Sequence, residues 1–412
     1  MAAGKGTRMR SELPKALQPL CGKPMLGFLL EEVRRLKADP VIVVAGHRRD
    51  LVKRFVGSRA RIVWQKKLLG SGHAVNQTAS AFRGFSGDLL VLYCDTPLIS
   101  GATLELLFER HQKNLNVCTL LSAKLDDPSD YGRIQRSADG SVKKILEERD
   151  ASAEEKKISE ANVGCYVFRA RKLFEALKRV PKNPKKNEYY LTDAVEILAR
   201  EGRVEAVLAG NPEEVLGVNT RTDLCVAEAL AQCRILNRWI EEGVTIRDPR
   251  TTVIDAGVDI GPGTVIYPHT VLEKGTVIGR GCRIGPFARI RGASKIGDGA
   301  VVGNFVEVVR SHVGPRTQIK HLSYIGDAVI GASVNIGAGT ITANFDGKQK
   351  HPTRIRDGAH IGSGTILVAT VTVGRAAKTG AGAVVTKGKN IPDRGVVAGV
   401  PAKPMNLKRK YA

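Results

Sequence analysis

The 412-residue chain has no pair of cysteines spaced C-x-x-C. Its seven cysteines (Cys21, Cys94, Cys118, Cys165, Cys225, Cys233 and Cys282) are odd in number and scattered, which excludes a disulfide framework and a structural zinc site. Long apolar runs are missing too. No stretch reaches the roughly 18 uninterrupted residues of a membrane helix, and the N-terminus lacks the basic, apolar and small-residue order of a secretory signal. A soluble, cytoplasmic protein without membrane insertion is expected. Aromatics make up only 5% of the chain, and the formal charge of +23 is spread along it instead of gathering into a nucleic-acid motif. No nucleic-acid partner is expected; such a field draws in small-molecule anionic substrates such as nucleotides, sugar phosphates and coenzyme A. The basic runs Lys182–Lys186 and Lys408–Lys410 read as solvated loop and tail.

What the sequence does contain is a repeat. Aliphatic residues stand at Ile254, Ile260, Ile266, Leu272, Ile278, Ile284, Ile290, Ile296, Val302 and Val308 without a missed step, often followed by Gly. A spacing of six fits neither a helix nor a simple alternating strand. It suits a coil of three short faces, each turning one aliphatic side chain inward, which is a parallel β-helix. The phase slips before Val313, resumes through Ile319 and Ile325, slips again at Ile330, and stops after Ile336 at a polar loop, Ile341 to Arg354, before restarting at Ile355, Ile361, Leu367 and Val373. A loop leaving a rigid scaffold is where function concentrates.

Residues 1–222 alternate β-rich runs such as Pro40–Ala45 and Asp88–Tyr93 with amphipathic segments, the pattern of a parallel α/β sheet. Residues 223–243 read as a linker helix, leaving 244–412 to the β-helix. The first domain opens with Ala2-Ala3-Gly4-Lys5-Gly6-Thr7-Arg8-Met9 and then Leu13-Pro14-Lys15. Small residues let backbone N–H groups approach a phosphate, and Arg8 and Lys15 supply charge for a triphosphate and its leaving pyrophosphate. Gln65 and the turn Gly70-Ser71-Gly72-His73-Ala74 suit a pyrimidine base or an ordinary loop. Tyr93-Cys94-Asp95 puts a carboxylate just past an apolar strand, where an α/β sheet presents ligands. There it serves either as a Mg²⁺ ligand or as a turn-forming Asp. In the second domain His321 stands in Lys320-His321-Leu322-Ser323-Tyr324.

With Tyr131-Gly132-Arg133-Ile134, Glu188–Asp193 (EYYLTD), the IGPFAR stretch, VGNFVE and GAGTITANFDG, the chain resembles the family of bifunctional bacterial N-acetylglucosamine-1-phosphate uridylyltransferases / glucosamine-1-phosphate acetyltransferases over nearly its whole length. The resemblance implies an α/β protein with a Rossmann-like nucleotidylyltransferase domain and a left-handed parallel β-helix of hexapeptide repeats, assembled as a homotrimer. It implies synthesis of UDP-N-acetylglucosamine, a peptidoglycan and lipopolysaccharide precursor, from glucosamine-1-phosphate, acetyl-CoA and UTP, with Mg²⁺ as cofactor. By the same resemblance Ala2, Ala3, Gly4, Gln65, Gly70 and Ser71 contact uridine, with Tyr93 beside them, and Arg8 and Lys15 the phosphates. Gly132, Glu147 and Asn162 hold the sugar, and Asp95 and Asn219 the metal.

In the β-helix the resemblance makes His321 the base that deprotonates the attacking amine. Arg291 and Lys350 meet the sugar phosphate, Tyr324 and Asn335 the sugar, and Ala338, Asn344, Phe345, Ser363 and Ala381 the acetyl-CoA. Five departures stand out, two of them single exchanges within the sites: Ser71 stands where the family has Thr, a conservative change, and Phe345 follows Asn344 where the family has Tyr. The family opens with an apolar strand ahead of Ala-Ala-Gly, where this chain has Met1. A phosphate-contacting Lys is Val309, with Arg310 next to it as a substitute charge, and a late coenzyme-contacting Arg is Gly399. Two other readings remain: a nucleotidylyltransferase with a structural or regulatory β-helix, and a non-catalytic scaffold.

Overall fold

A computed structural model describes residues 1–405, so the Lys408–Lys410 run lies outside the described residues. The chain divides into two compact units, Met1–Leu230 and Ala231–Ala412. The helix that the sequence places at 223–243 runs Arg221–Glu241, and the division falls inside it. Its earlier start has a local cause. Thr220 Oγ1 accepts the Asp223 N–H at 3.1 Å, while Asp223 Oδ2 accepts the N–H groups of Asn219 and Thr220 at 2.8 Å, a reciprocal cap that puts Asp223 inside the first turn.

In the first unit β1 (Pro19–Leu20) and β2 (Lys23–Pro24) form a small hairpin that leads into α1 (Met25–Arg35). α1 buries Met25, Leu26, Leu29 and Leu30, one stripe at helical spacing. β3 (Ile42–Ala45) pairs in parallel with β4 (Arg61–Trp64), with α2 (Arg49–Val56) between them in sequence. After α3 (Ser71–Asn76) come β5 (Asp88–Leu92), α4 (Gly101–Lys113), β6 (Cys118–Lys124), β7 (Gly132–Arg136), β8 (Val142–Leu146), β9 (Glu160–Arg169), α5 (Ala170–Leu177), α6 (Leu191–Ala199) and β10 (Val204–Leu208). The sheet is mixed where the alternation suggests a parallel one: β10 runs parallel to β6, but β9 lies antiparallel to β5, β6 and β7. β9 is apolar and buried over most of its length, and an apolar run carries no information about the direction of its neighbours.

β3 and β5 do not pair with each other. Between them runs an apolar slot of about 350 Å³ walled by Leu26, Leu30, Val43, Leu90, Leu92 and Phe108. Only its end is bridged. The Met1 amine donates to Leu92 O at 2.8 Å, Cys94 N–H donates to Met1 O at 3.1 Å, and Ala2 N–H donates to Val44 O at 2.8 Å. Met1 and Ala2 thus sit as the last residues of a strand parallel to both neighbours would.

The second unit is a three-faced coil. Its first face stacks strands from Thr245–Ile246 to Lys403–Pro404, its second from Val253–Ile254 to Val384–Val385, and its third from Asp259–Ile260 to Val371–Val373, nearly all in parallel register. Each named aliphatic residue of the repeat is at most 6% exposed, and together they form one continuous core. A two-residue strand has no stability by itself, so each coil is held by those above and below. Buried hydroxyls help close the turns: Thr264 Oγ1 donates to Gly279 O at 2.8 Å and accepts from Cys282 N–H at 3.0 Å. The break in the repeat is shorter than its sequence suggests. Ile341–Ala343 and Thr353–Ile355 are strands of the second and third faces, so the excursion spans residues 344–352.

The slot generates a prediction. Fusing about five apolar, β-branched residues ahead of Met1 is expected to complete the sheet between β3 and β5 and raise the melting temperature of the first unit by roughly 5 °C or more. Calorimetry of the two chains measures it, and an unchanged transition contradicts the assignment.

Candidate active site

The first unit's cleft, about 590 Å³, opens at the C-terminal ends of β3 and β5, lined by Ala3, Gly4, Lys5, Gly6, Thr7, Lys15, Gln65, Gly70, Ser71, Tyr93 and Asp95. Ala2 lies buried beneath it. Gly6 has φ +62°, and a Cβ there would come within 2.7 Å of Lys15 Cβ, so the glycine both permits the turn and seats the lysine stem against it. The Lys15 ammonium then lies 2.7 Å from Asp95 Oδ2 and 2.7 Å from Asn219 Oδ1. The loops bearing those two acceptors are joined by one backbone bond, Val218 N–H donating to Asp95 O at 2.7 Å, and the second is also held by Gly217 N–H donating to the Tyr131 hydroxyl at 2.9 Å. Arg8 turns to Asp130 at 3.0 Å, an exposed pair, so in this state Lys15 is the cation at the carboxylate.

On the base side, Gln65 Nε2 donates to Gly70 O at 3.0 Å and lies 3.0 Å from His73 Nδ1. The turn is braced by the EYYLTD segment: Gly72 N–H donates to Tyr189 O at 2.8 Å, and Ser71 Oγ accepts from Leu191 N–H at 3.0 Å. On the sugar side Gly132 and Asn162 are cross-strand partners, and Asn162 Nδ2 donates to the Tyr166 hydroxyl at 2.7 Å. Glu147 accepts from Thr192 Oγ1 at 2.8 Å. Burial pushes the Glu147 carboxyl above its ordinary range, and burial followed by the Glu147 charge raises Asp193 to about 6.

In the second unit the expected residues fall at two corners of the coil. His321 ends a first-face strand, exposed, with its carbonyl accepting from Ser323 Oγ at 2.8 Å. Ala338, Ser363 and Ala381 follow on that corner, linked through Gly364 N–H to Ala338 O and Gly382 N–H to Ser363 O, both 2.7 Å. Arg291, Asn344, Phe345 and Lys350 belong to the next corner, where an isolated bridge joins Phe345 to Lys350. Tyr324 reaches across the second face between the corners. Gly326 makes room for it, since a Cβ there would lie 2.7 Å from the Tyr324 hydroxyl and 2.6 Å from Asn344 Nδ2. Asn335 lies on the first face, between Gln318 and His360, away from Tyr324 and Lys350.

Residues 1–191 match the model of the MobA-like NTP transferase domain, and residues 275–310 that of the bacterial transferase hexapeptide (six repeats). The bifunctional protein GlmU of Shouchella clausii (strain KSM-K16) is 40% identical over 420 residues, covering 94% of this chain and 92% of that relative. The bifunctional protein GlmU of Geobacillus thermodenitrificans (strain NG80-2) is 42% identical over 433 residues, 97% of this chain and 94% of that relative. The chain belongs to the GlmU family. A solved structure of apo UDP-glucose pyrophosphorylase aligns at 20% identity with a TM-score of 0.48, over 57% of this chain and 97% of that one.

Set among GlmU proteins, the departures acquire a geometry. Val309 is buried and pairs with Arg291 in the second face. Arg310 follows that strand in a left-handed turn with φ +46°, and its guanidinium is held by Asp327 at 2.7 and 2.8 Å, next to the Tyr324 hydroxyl. Asp327 also accepts from Asn344 Nδ2. Gly399 closes a late coil, its carbonyl accepting from Val384 N–H at 3.1 Å. Four residues that position others escaped the sequence reading: Thr192, Tyr131, Asp223 and Asp327. Only Thr192 and Tyr131 stood in motifs that were noticed, and no local pattern tells that their hydroxyls hold Glu147 and Gly217.

Asp193 offers a test of this electrostatic picture. Its folded-state value, about 6, lies above the ordinary 3.8, so the fold favours the neutral carboxyl; that contribution is complete below about pH 4 and is lost as pH rises through 6. Asp193→Asn is therefore expected to melt higher than the parent at pH 8, with the difference shrinking toward zero by pH 4. Parallel melting curves at the two pH values check it, and a difference of the opposite sign at pH 8 contradicts it.

Proposed function

We propose that this chain carries out both transfers of UDP-N-acetylglucosamine synthesis: acetyl transfer from acetyl-CoA to glucosamine-1-phosphate in the β-helix, then uridylyl transfer from UTP to N-acetylglucosamine-1-phosphate, releasing pyrophosphate, in the first unit. The observation that carries the reading is the meeting of the Asp95 carboxylate and the Asn219 amide oxygen on one cation position at the mouth of a phosphate-sized glycine turn. UTP lies with its base against Gln65, Gly70 and Ser71 and its phosphates on the Gly4–Thr7 turn, while Gly132, Glu147 and Asn162 hold the acetylated sugar. A Mg²⁺ ion fits Asp95 and Asn219, because it takes few protein oxygens together with substrate phosphates; among the described residues no larger cluster of metal-binding side chains exists. When bound, it neutralises charge on the reacting phosphates. The protein's own part is to align the sugar phosphate with the α-phosphate and to keep cationic groups at the leaving pyrophosphate, so no covalent nucleophile is required.

In the second unit His321 takes the proton from the glucosamine amine as it attacks the thioester carbonyl, and coenzyme A leaves as the thiol. The active form is a homotrimer in the cytoplasm. The arrangement of the expected residues supports the trimer: within one chain they occupy two corners and two faces, and packing one copy's corner against another's brings complementary sets together. None of the seven cysteines is joined in a disulfide, which agrees with a reducing compartment. A second reading, in which only nucleotidyl transfer survives, is favoured by buried Val309 and by Arg310 being tied to Asp327.

Two substitutions separate these readings. Asp95→Ala is expected to lower pyrophosphate release at least ~100-fold and leave thiol release intact, and His321→Ala the reverse, each being a loss of about 3 kcal/mol of transition-state stabilisation. Loss of both activities from either change contradicts two independent sites. Thiol release too low to measure in the parent favours the second reading.

A further inference from the structure

The two oxygens assigned to a divalent cation are occupied by a side chain of the protein itself. Lys15 Nζ stands 2.7 Å from each, and the lysine side chain is only 13% exposed. An ammonium hydrogen-bonded to both oxygens and an ion coordinated at roughly 2.1 Å by the same oxygens exclude each other by contact and by charge. We propose that Lys15 is a tethered counter-cation: it holds the Asp95–Asn219 position until a divalent cation arrives with the nucleotide, and is then displaced onto the phosphates. The proposal rests on the reading of Asp95 and Asn219 as the metal ligands.

Three observations carry it. The backbone that carries the acceptors is fixed independently of Lys15, by Val218 N–H on Asp95 O at 2.7 Å and by the Asp223 carboxylate on the N–H groups of Asn219 and Thr220 at 2.8 Å. The lysine stem is seated at Gly6, in the turn where the phosphates are read to lie, so a change of side-chain torsions alone carries the ammonium from one partner to the other. Finally, the pair is neutral as it stands. A free cation meets an already compensated carboxylate, whereas a nucleotide-borne cation brings phosphate charge that gives the displaced ammonium a new partner. Free divalent cations are thereby kept out, and the lysine reaches the phosphates only when the cation is in place.

The test measures Mn²⁺ binding to the full chain by electron paramagnetic resonance, with and without UTP. Without UTP, Lys15→Met is expected to bind Mn²⁺ at least ~10-fold more tightly than the parent, Lys15→Arg to stay as weak as the parent, and Lys15→Met combined with Asp95→Asn to lose the gain. If Lys15→Met is unfolded by circular dichroism, Lys15→Gln takes its place. Equal Mn²⁺ affinity in the parent and the uncharged variant, with both taking up Mn²⁺ when UTP is added, overturns the counter-cation role and leaves the metal assignment standing. No uptake by the parent even with UTP overturns the metal assignment itself, and this inference with it.

Discussion

The Lys15 ammonium, 2.7 Å from both Asp95 Oδ2 and Asn219 Oδ1, joins three segments that are remote along the chain, and the cleft of the first unit is organised around that contact. Each segment arrives there for a separate physical reason. The Gly6 turn makes room for the lysine stem, β5 ends just short of Asp95, and the capped start of the helix at Arg221 presents Asn219. Val218 N–H also binds Asp95 O, so the backbone segments that carry the two acceptors are tied to each other independently of the lysine.

The second unit obeys a different constraint. Nearly every sixth side chain is aliphatic and each short strand pairs with one a coil away, so the core is one continuous column. That rigidity sets polar groups at fixed corners. Where the period breaks, at residues 344–352, the chain is free to leave the scaffold, and its base is fastened by Asp327, which accepts from both Arg310 and Asn344. The same carboxylate holds Arg310 next to Tyr324.

Much of this is legible in the sequence alone. The six-residue period announced the β-helix because inward-facing positions tolerate little but aliphatic residues, and the opening glycine turn with Lys15 announced phosphate chemistry because few other uses need that combination. Strand direction in the first sheet was not legible. β9 between β5 and β6 is a tertiary choice that an apolar run leaves open, and it makes a sheet mixed whose pattern reads as parallel. Nor did the sequence disclose that Arg8 rests on Asp130 while Lys15 holds the carboxylate, since both are basic residues in one motif and only packing distinguishes them. The split of the acetyl-transfer residues between two corners depends on counting coils through two phase slips, and a one-residue error moves a side chain to another face.

The most direct test of the central claim, that one chain runs two transfers at two sites, is a two-channel assay of the purified protein. Thiol release from acetyl-CoA with glucosamine-1-phosphate is followed in one channel, and pyrophosphate release from UTP with N-acetylglucosamine-1-phosphate in the other. The account predicts turnover in both. Silence in either channel, from protein whose two units are folded, contradicts it.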